Sequence, residues 1–343
     1  MKFDGNIFFP LVTPLLNLAS NGSETGFAPP VSCTANSIAS GIYSSGATLT
    51  AGTQPLVTDS SHQHRHGHEG QYENRYVSIG DGEDGMRRPR AGQKTSRVET
   101  RTKLKESDEC PDPPILSCSA KADETDSCCV IRPGGVLVHA QFWDLGFGVA
   151  DSWGIHGLWP DKCNGQFYEN CDGGRKYSGS QIATALQNSG QNDLVDYMRT
   201  FWVSNDESPE NFWAHEWATH GTCVSTLEPN CFEGYVTAQE VVPYFETVVQ
   251  LFQQLNTYEA LTNSGISPSS TETYALTELQ DAVSSSLGYV PDFICNNGRL
   301  SSVQYYLNAQ GPLQDGRFVA SHASRKSECP KSGIYWLPKT VGK

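Results

Sequence analysis

The chain has 343 residues, 37% of them apolar, which is room for one large domain or two modest ones. Its net charge is −14; residues 1–109 hold 11 Lys and Arg against 12 Asp and Glu, leaving 13 against 26 for the remainder. That balance excludes a protein that coats polyanions by charge alone, but not one that grips a short piece of polyanion in a locally cationic site, above all in acid, where carboxylates are neutralised.

Residues 1–20 carry an apolar run, Ile7 to Leu18, behind Lys2. They resemble a signal peptide cut after Ala19 or Ser20, although Asp4, Pro10 and Pro14 interrupt the pattern. The run is too short to span a membrane as a helix, and no longer apolar run follows it. From residue 21 to 109 there is no sustained periodicity, and the stretch reads as low-complexity linker, disordered or a pro-segment. Within it, His62-Gln-His-Arg-His-Gly-His68 could be read as a metal tract, but a polar linker accounts for it better. A basic stretch from Arg87 to Lys105 is mixed with Gly, Pro and Ser and reads as solvated chain. The dibasic Arg87-Arg88 would suit removal of a pro-segment, and a misplaced gene start would look the same. Asn21-Gly-Ser23 is a glycosylation-type sequon.

Ten of the 11 cysteines lie between Cys110 and Cys329, with Cys33 far upstream. An even set without paired C-x-x-C knuckles points to disulfides rather than zinc, and to a secreted, extracellular or vacuolar protein. A domain is therefore expected over residues 110–343. Val136–Trp143 is rich in β-formers and predicts a buried strand. Ser152-Trp-Gly-Ile-His-Gly-Leu-Trp-Pro-Asp161 predicts a second strand that ends in a glycine-permitted bend and carries His156.

Residues 180–202 predict one helix. Ser208-Pro209-Glu210 then gives an N-cap, a proline at N1 and an acid in the first turn, so a helix starts there, with Gly221 as its stop. This helix carries His215, Glu216 and His220. Glu216 and His220 are four apart and share a face. The spacing H-E-x-x-x-H is one residue too long for a zinc-protease helix. Thr237-Ala-Gln-Glu240 matches a capping box before an apolar-faced helix from Val241 to Leu255, and a further helix is expected over 273–287. Strands are expected around 302–308 and 334–337. Helices set against strands without a repeating unit indicate an α+β fold.

Three histidines and a carboxylate in two dense motifs suit proton transfer, with one imidazole accepting and another donating. There is no G-x-S-x-G elbow, and the cysteines are expected to be paired, so the substrate would have to bring its own nucleophile. The 2′-hydroxyl of RNA does so, and nearby aromatic residues can stack bases. Two other readings remain open: a binding or signalling protein that catalyses weakly, and a metal-dependent hydrolase built on the same histidines.

Trp153-Gly-Ile-His-Gly-Leu-Trp-Pro160 and Phe212-Trp-Ala-His-Glu-Trp-Ala-Thr-His-Gly-Thr-Cys223 resemble the two active-site segments of the ribonuclease T2 family. The resemblance runs from about Cys110 to the C-terminus. The ten cysteines, with Cys128 and Cys129 adjacent, resemble its fungal branch. It implies an α+β fold with a central, mostly antiparallel sheet packed against several helices. It also implies the pairings Cys110–Cys129, Cys118–Cys163, Cys128–Cys231, Cys171–Cys223 and Cys295–Cys329.

The resemblance further implies an endoribonuclease, with RNA but not DNA as substrate and with no metal or cofactor. It would work at acid to neutral pH through a 2′,3′-cyclic phosphate to 3′-phosphate ends; a monomer is expected. His220 would be the base, His156 the acid, His215 a phosphate holder and Glu216 a stabiliser of the pentacoordinate state. Trp159, Asp161 and Phe167 match a first base pocket, and Gln141 and Phe212 a second. One position departs from the family pattern: Thr219 stands where a lysine is usual.

Overall fold

In the computed structural model, residues 76–78, 110–323 and 326–340 are described, all within the second of the two units into which the chain divides, 69–343. The apolar run 7–18, the His62–His68 tract, the basic stretch and Cys33 lie outside the described residues.

The strands are β1 (Tyr76–Ser78), β2 (Val136–Phe142), β3 (Gly154–Asp161), β4 (Asp292–Asn296), β5 (Arg299–Ala309) and β6 (Arg317–Ala320). Among the described residues they make one antiparallel sheet in the order β1-β6-β5-β2-β3, with β4 also on β5. β1 falls in a stretch whose sequence shows no strand period. The long β5 pairs with β2 along one edge, while β4 and β6 share its other edge. β3 is therefore an outer strand with one edge free to receive a helix.

The helices are α1 (Gly179–Asn188), α2 (Asn192–Phe201), α3 (Pro209–Thr219), α4 (Val241–Gln254), α5 (Thr257–Asn263) and α6 (Leu276–Leu287). The single helix expected over 180–202 is two, because Gly190 adopts a left-handed φ of +81° and turns the chain. Ser178 caps α1, its hydroxyl accepting from the Gln181 N–H. The capping box read at Thr237 is not used: residues 237–240 form a turn and α4 starts after Glu240, with no side-chain cap. Residues 334–337 make isolated bridges to Tyr274 and Arg299 rather than a strand. The short α5 follows a single Asn256 cap, too brief a signal to stand out in the sequence.

Helix α4 lies over β2 and β3. Its buried positions, Val241, Tyr244, Phe245, Val248 and Phe252 among them, recur at helical spacing and meet the inward residues of the sheet. Two polar bonds fix the contact: the Tyr244 hydroxyl donates to the Leu158 carbonyl at 3.0 Å, and His139 Nε2 bonds the Val248 carbonyl at 3.1 Å. Trp143, Trp153 and Trp336 pack together at the end of β2, with Trp143 and Trp336 ring centroids 5.1 Å apart. All five cysteine pairs that the resemblance implies are bonded. Among the described residues no helix is long and apolar enough to cross a membrane.

Candidate active site

Along β2 and β3, Ala140 stands opposite Gly157 and Gln141 opposite Ile155, so His156 is the extra residue of a β-bulge. The bulge changes which side chains share a face. Strict alternation would pair His156 with Leu158. Instead Ile155 and Leu158 are fully buried, and His156 faces outward with Trp159, their rings edge to face at 5.0 Å.

Helix α3 runs beside the free edge of β3. Phe212, Trp213, Glu216 and Trp217 are buried at its inner side, while His215 is exposed on the flank. The helix starts as the sequence indicates, the Ser208 hydroxyl accepting from the Asn211 N–H and Pro209 standing first. It ends one residue before His220, whose N–H donates to the Glu216 carbonyl at 2.9 Å. His220 thus sits at the helix C-terminus, where partial negative charge favours an imidazolium.

The two motifs meet on the Trp159 ring. His156 lies 5.0 Å from it, edge to face, and His220 5.3 Å from it, tilted by 33°. The Trp159 indole N–H donates to Glu216 Oε2 at 2.9 Å, and Glu216 Oε1 is 3.6 Å from His156 Nε2. Gly157 makes room for that carboxylate: a Cβ there would stand 2.1 Å from Glu216 Oε2. Phe212 packs on His156 at 5.6 Å, and Phe142 meets it edge-on at 5.9 Å.

These surroundings shift the protons. Glu216 is 1% exposed, and burial pushes its carboxyl up to about 8; the Trp159 bond opposes the shift and Glu207 adds to it. Burial, then the charge of His215, lowers His156 to about 4. Water still reaches its outer edge, 38% exposed, and screens it. His220 is lowered to about 3 by burial first, then by His156 and His215. In weak acid the free site therefore holds two neutral imidazoles and a neutral carboxylic acid. An anion placed between the histidines would raise both.

Arg175 locks the chain that follows His220. Its guanidinium is buried and donates to the carbonyls of Leu227 and Thr222 and to Asp172. Its own carbonyl accepts the Trp217 indole N–H at 2.7 Å. The Cys171–Cys223 disulfide ties the loop after β3 to the same turn. Gly221 is required there, since a Cβ would stand 2.3 Å from the Trp217 ring.

Of the expected site residues, His156, His215, Glu216, His220, Trp159 and Phe212 are brought together. Asp161 is buried on the Trp159 face of β3, two residues further along. Phe167 lies in the following loop, 63% exposed. Gln141 is not brought to this cleft. Val138 stands opposite Trp159, so Gln141, an odd number of residues away on the regular strand β2, points to the opposite face. There its amide donates to the Leu255 carbonyl and accepts from the Thr257 hydroxyl, each at 2.8 Å. The neighbouring Phe142 faces His156 instead. Phe142, Gly157 and Arg175 are what sequence reasoning missed, and only the bulge register and the packing identify them. Among the described residues no group of three or more His, Cys, Asp or Glu is placed to hold a metal ion.

A family model described as Ribonuclease T2 family matches residues 117–315. The chain is 46% identical over 231 residues to a ribonuclease T2-like protein of Emericella nidulans, matching 66% of this chain and 55% of that one. It is 45% identical to ribonuclease Le2 of Lentinula edodes, covering 65% of this chain and 94% of that one. The chain thus spans just over half the length of the Emericella relative and nearly all of the Lentinula one. In structure it is similar to Actibind, a T2 ribonuclease, at a TM-score of 0.63 and 41% identity, over 68% of this chain and 98% of that one.

Proposed function

Because this chain belongs to the ribonuclease T2 family, we propose that it is an endoribonuclease that cleaves single-stranded RNA by attack of the substrate's own 2′-hydroxyl on the adjacent phosphorus. The observation that carries this reading is the pair His156 and His220, each about 5 Å from the Trp159 ring, with Glu216 bonded to that ring's N–H. Neutral His220 takes the 2′-hydroxyl proton, and its place at the end of α3 supports the imidazolium that forms. His156, raised by the bound phosphate, gives its proton to the departing 5′ oxygen. The 2′,3′-cyclic phosphate is then opened by water to a 3′-phosphate, with the two roles exchanged. His215 binds the phosphate. Glu216, held as a neutral acid, donates a hydrogen bond to the phosphorane oxygens. Trp159, Asp161 and Phe167 form the pocket for one base, and Phe212 with Phe142 stacks against the next.

RNA rather than DNA is the substrate because the nucleophile is its 2′-hydroxyl, and no metal takes part in the step. Five disulfides suit an extracellular or vacuolar setting and a monomer that needs no partner to hold its fold. The substrate distinction is tested with RNA, its 2′-deoxy analogue, and each in EDTA. Cleavage of RNA alone, undiminished by EDTA, is expected; cleavage of the deoxy chain would sink the proposal, and loss of activity in EDTA would favour a metal hydrolase. His156→Ala and His220→Ala should each abolish turnover.

Thr219 favours a second reading, a catalytically weak binding or signalling protein. It stands one residue before His220 and brings no charge to the phosphorane. On this reading RNA binds but is not cleaved between pH 4 and pH 8 (roughly the range over which His and carboxyl groups titrate).

A further inference from the structure

On the helix-covered side of β2 and β3, the face that Gln141 takes and Trp159 does not, lies a cavity of about 260 Å³ bordered by the segment that leads to the histidines. We propose that it is a further nucleotide subsite, which holds a base of the RNA chain beyond the two at the cleft. The proposal rests on the ribonuclease reading and names a part of its substrate.

Its position is the first argument. The segment 143–153 joins the two places. Phe147 packs on Phe142 at 5.4 Å, and Phe142 meets His156; Val149, Asp151 and Ser152 of the same segment border the cavity. Trp153, in its lining, precedes His156 by three residues, roughly 10 Å along the chain at the rise of a strand. A polynucleotide anchored at the histidines would reach the cavity by passing round this segment to the other face of the two strands.

The lining is the second argument. Tyr197 and Phe201 on α2 form a wall, 4.4 Å apart with planes tilted by 30°, and Phe252 of α4 closes in behind them. Both ring side chains of α2 are only half-buried, so part of each ring is open to a ligand. Every base has a π-face, and aromatic surfaces of this kind hold bases without regard to sequence. Polar groups line it as well: the Tyr197 hydroxyl is close to the exposed Gln253 side chain, and the Asp151 side chain is exposed. They can meet the hydrogen-bonding edge of a base. The lining contains no Lys or Arg and one carboxylate, which excludes a phosphate as occupant. The volume falls below the roughly 300–1,000 Å³ of pockets for drug-sized ligands, and suits one base.

The test uses oligonucleotides with a single ribonucleotide in an otherwise 2′-deoxy chain, so that cleavage falls at one bond, extended stepwise on either side from dinucleotide to pentanucleotide. The wild-type protein should gain about 10-fold or more in kcat/KM at the step that reaches the cavity. Tyr197→Ala and Gln253→Ala should reduce the ratio of long to short substrate, while Tyr197→Phe, which keeps the ring, should retain most of it. Absence of a length-dependent gain, or a gain that survives Tyr197→Ala, Phe201→Ala and Gln253→Ala alike, would overturn the proposal. If even the dinucleotide is not cleaved, the ribonuclease reading itself fails. The affinity of all-deoxy chains of the same lengths then decides about the cavity: a length dependence removed by Tyr197→Ala upholds a nucleic-acid subsite, and its absence ends it.

Discussion

At the scale of single residues, the site depends on what lies behind the histidines. Glu216 is usable as a hydrogen-bond donor only because burial keeps it protonated, and it fits only because position 157 has no side chain. Gly157→Ala should push the carboxylate off the Trp159 N–H. An activity loss on the order of 10²-fold, with about 1–3 kcal/mol of lost stability from overpacking, is expected in steady-state kinetics and thermal melts; normal kcat with the melting temperature unchanged would contradict the packing. Thr219→Lys adds a cation one residue before His220 and should raise kcat on RNA, by up to about 10²-fold if the missing charge limits the rate. An unchanged rate would mean that another cation already serves. The histidines and the glutamate were legible in the sequence because their chemistry and spacing are unusual. Phe142 was not, since Gln141 and Phe142 are adjacent and only the strand register says which one faces the cleft.

At the scale of elements, the β-bulge in β3 and the C-terminus of α3 bring the two motifs together. A bulge is set by the partner strand, so strand β3 shows none in its own sequence. Helix α3 was readable at its start, where Ser208 and Pro209 carry local signals. The sequence does not separate α1 from α2, because Gly190 in a polar stretch looks the same within a helix as at its end until its φ is known. The end of α3 is held by Arg175, whose planar guanidinium donates in three directions. Arg175→Met should cost about 2–3 kcal/mol or more, because buried carbonyls lose a charged donor. Arg175→Lys, with the charge but not the fork, should recover only part of it. Both should lower kcat more than they raise KM, since His220 is displaced while Trp159 and the aromatic residues around it remain. A variant as stable and active as the parent would show that the Cys171–Cys223 bond suffices.

At the scale of the molecule, burial makes stability depend on pH in two opposing ways. His139, His156 and His220 are lowered from 6.5 to about 4, 4 and 3, chiefly by burial. The unfolded chain therefore binds more protons there below 6.5, and stability falls as the pH drops from 6.5 towards 4. Glu216 is raised from 4.5 to about 8, so it releases its proton earlier in the unfolded chain, and stability falls as the pH rises from 4.5 to 8. Three groups outweigh one below 6.5, and above it only Glu216 remains of these four, which puts their combined optimum near 6.5. Glu216→Gln removes the decline on the alkaline side, so its melting temperature relative to wild type should climb between pH 6.5 and pH 8; a constant difference would mean that Glu216 is ionised in the fold. By itself the sequence determined the α+β class, the helix that carries His215, Glu216 and His220, and the family. Caps, apolar spacing and dense motifs are local signals, and they survive without coordinates. Only the tertiary structure decided which face each strand residue takes, that Gln141 is spent on Leu255 and Thr257, and that a glycine makes space for a buried acid. Those features arise from contacts between residues far apart in the chain, where register and close packing, not the identity of any one residue, set the outcome.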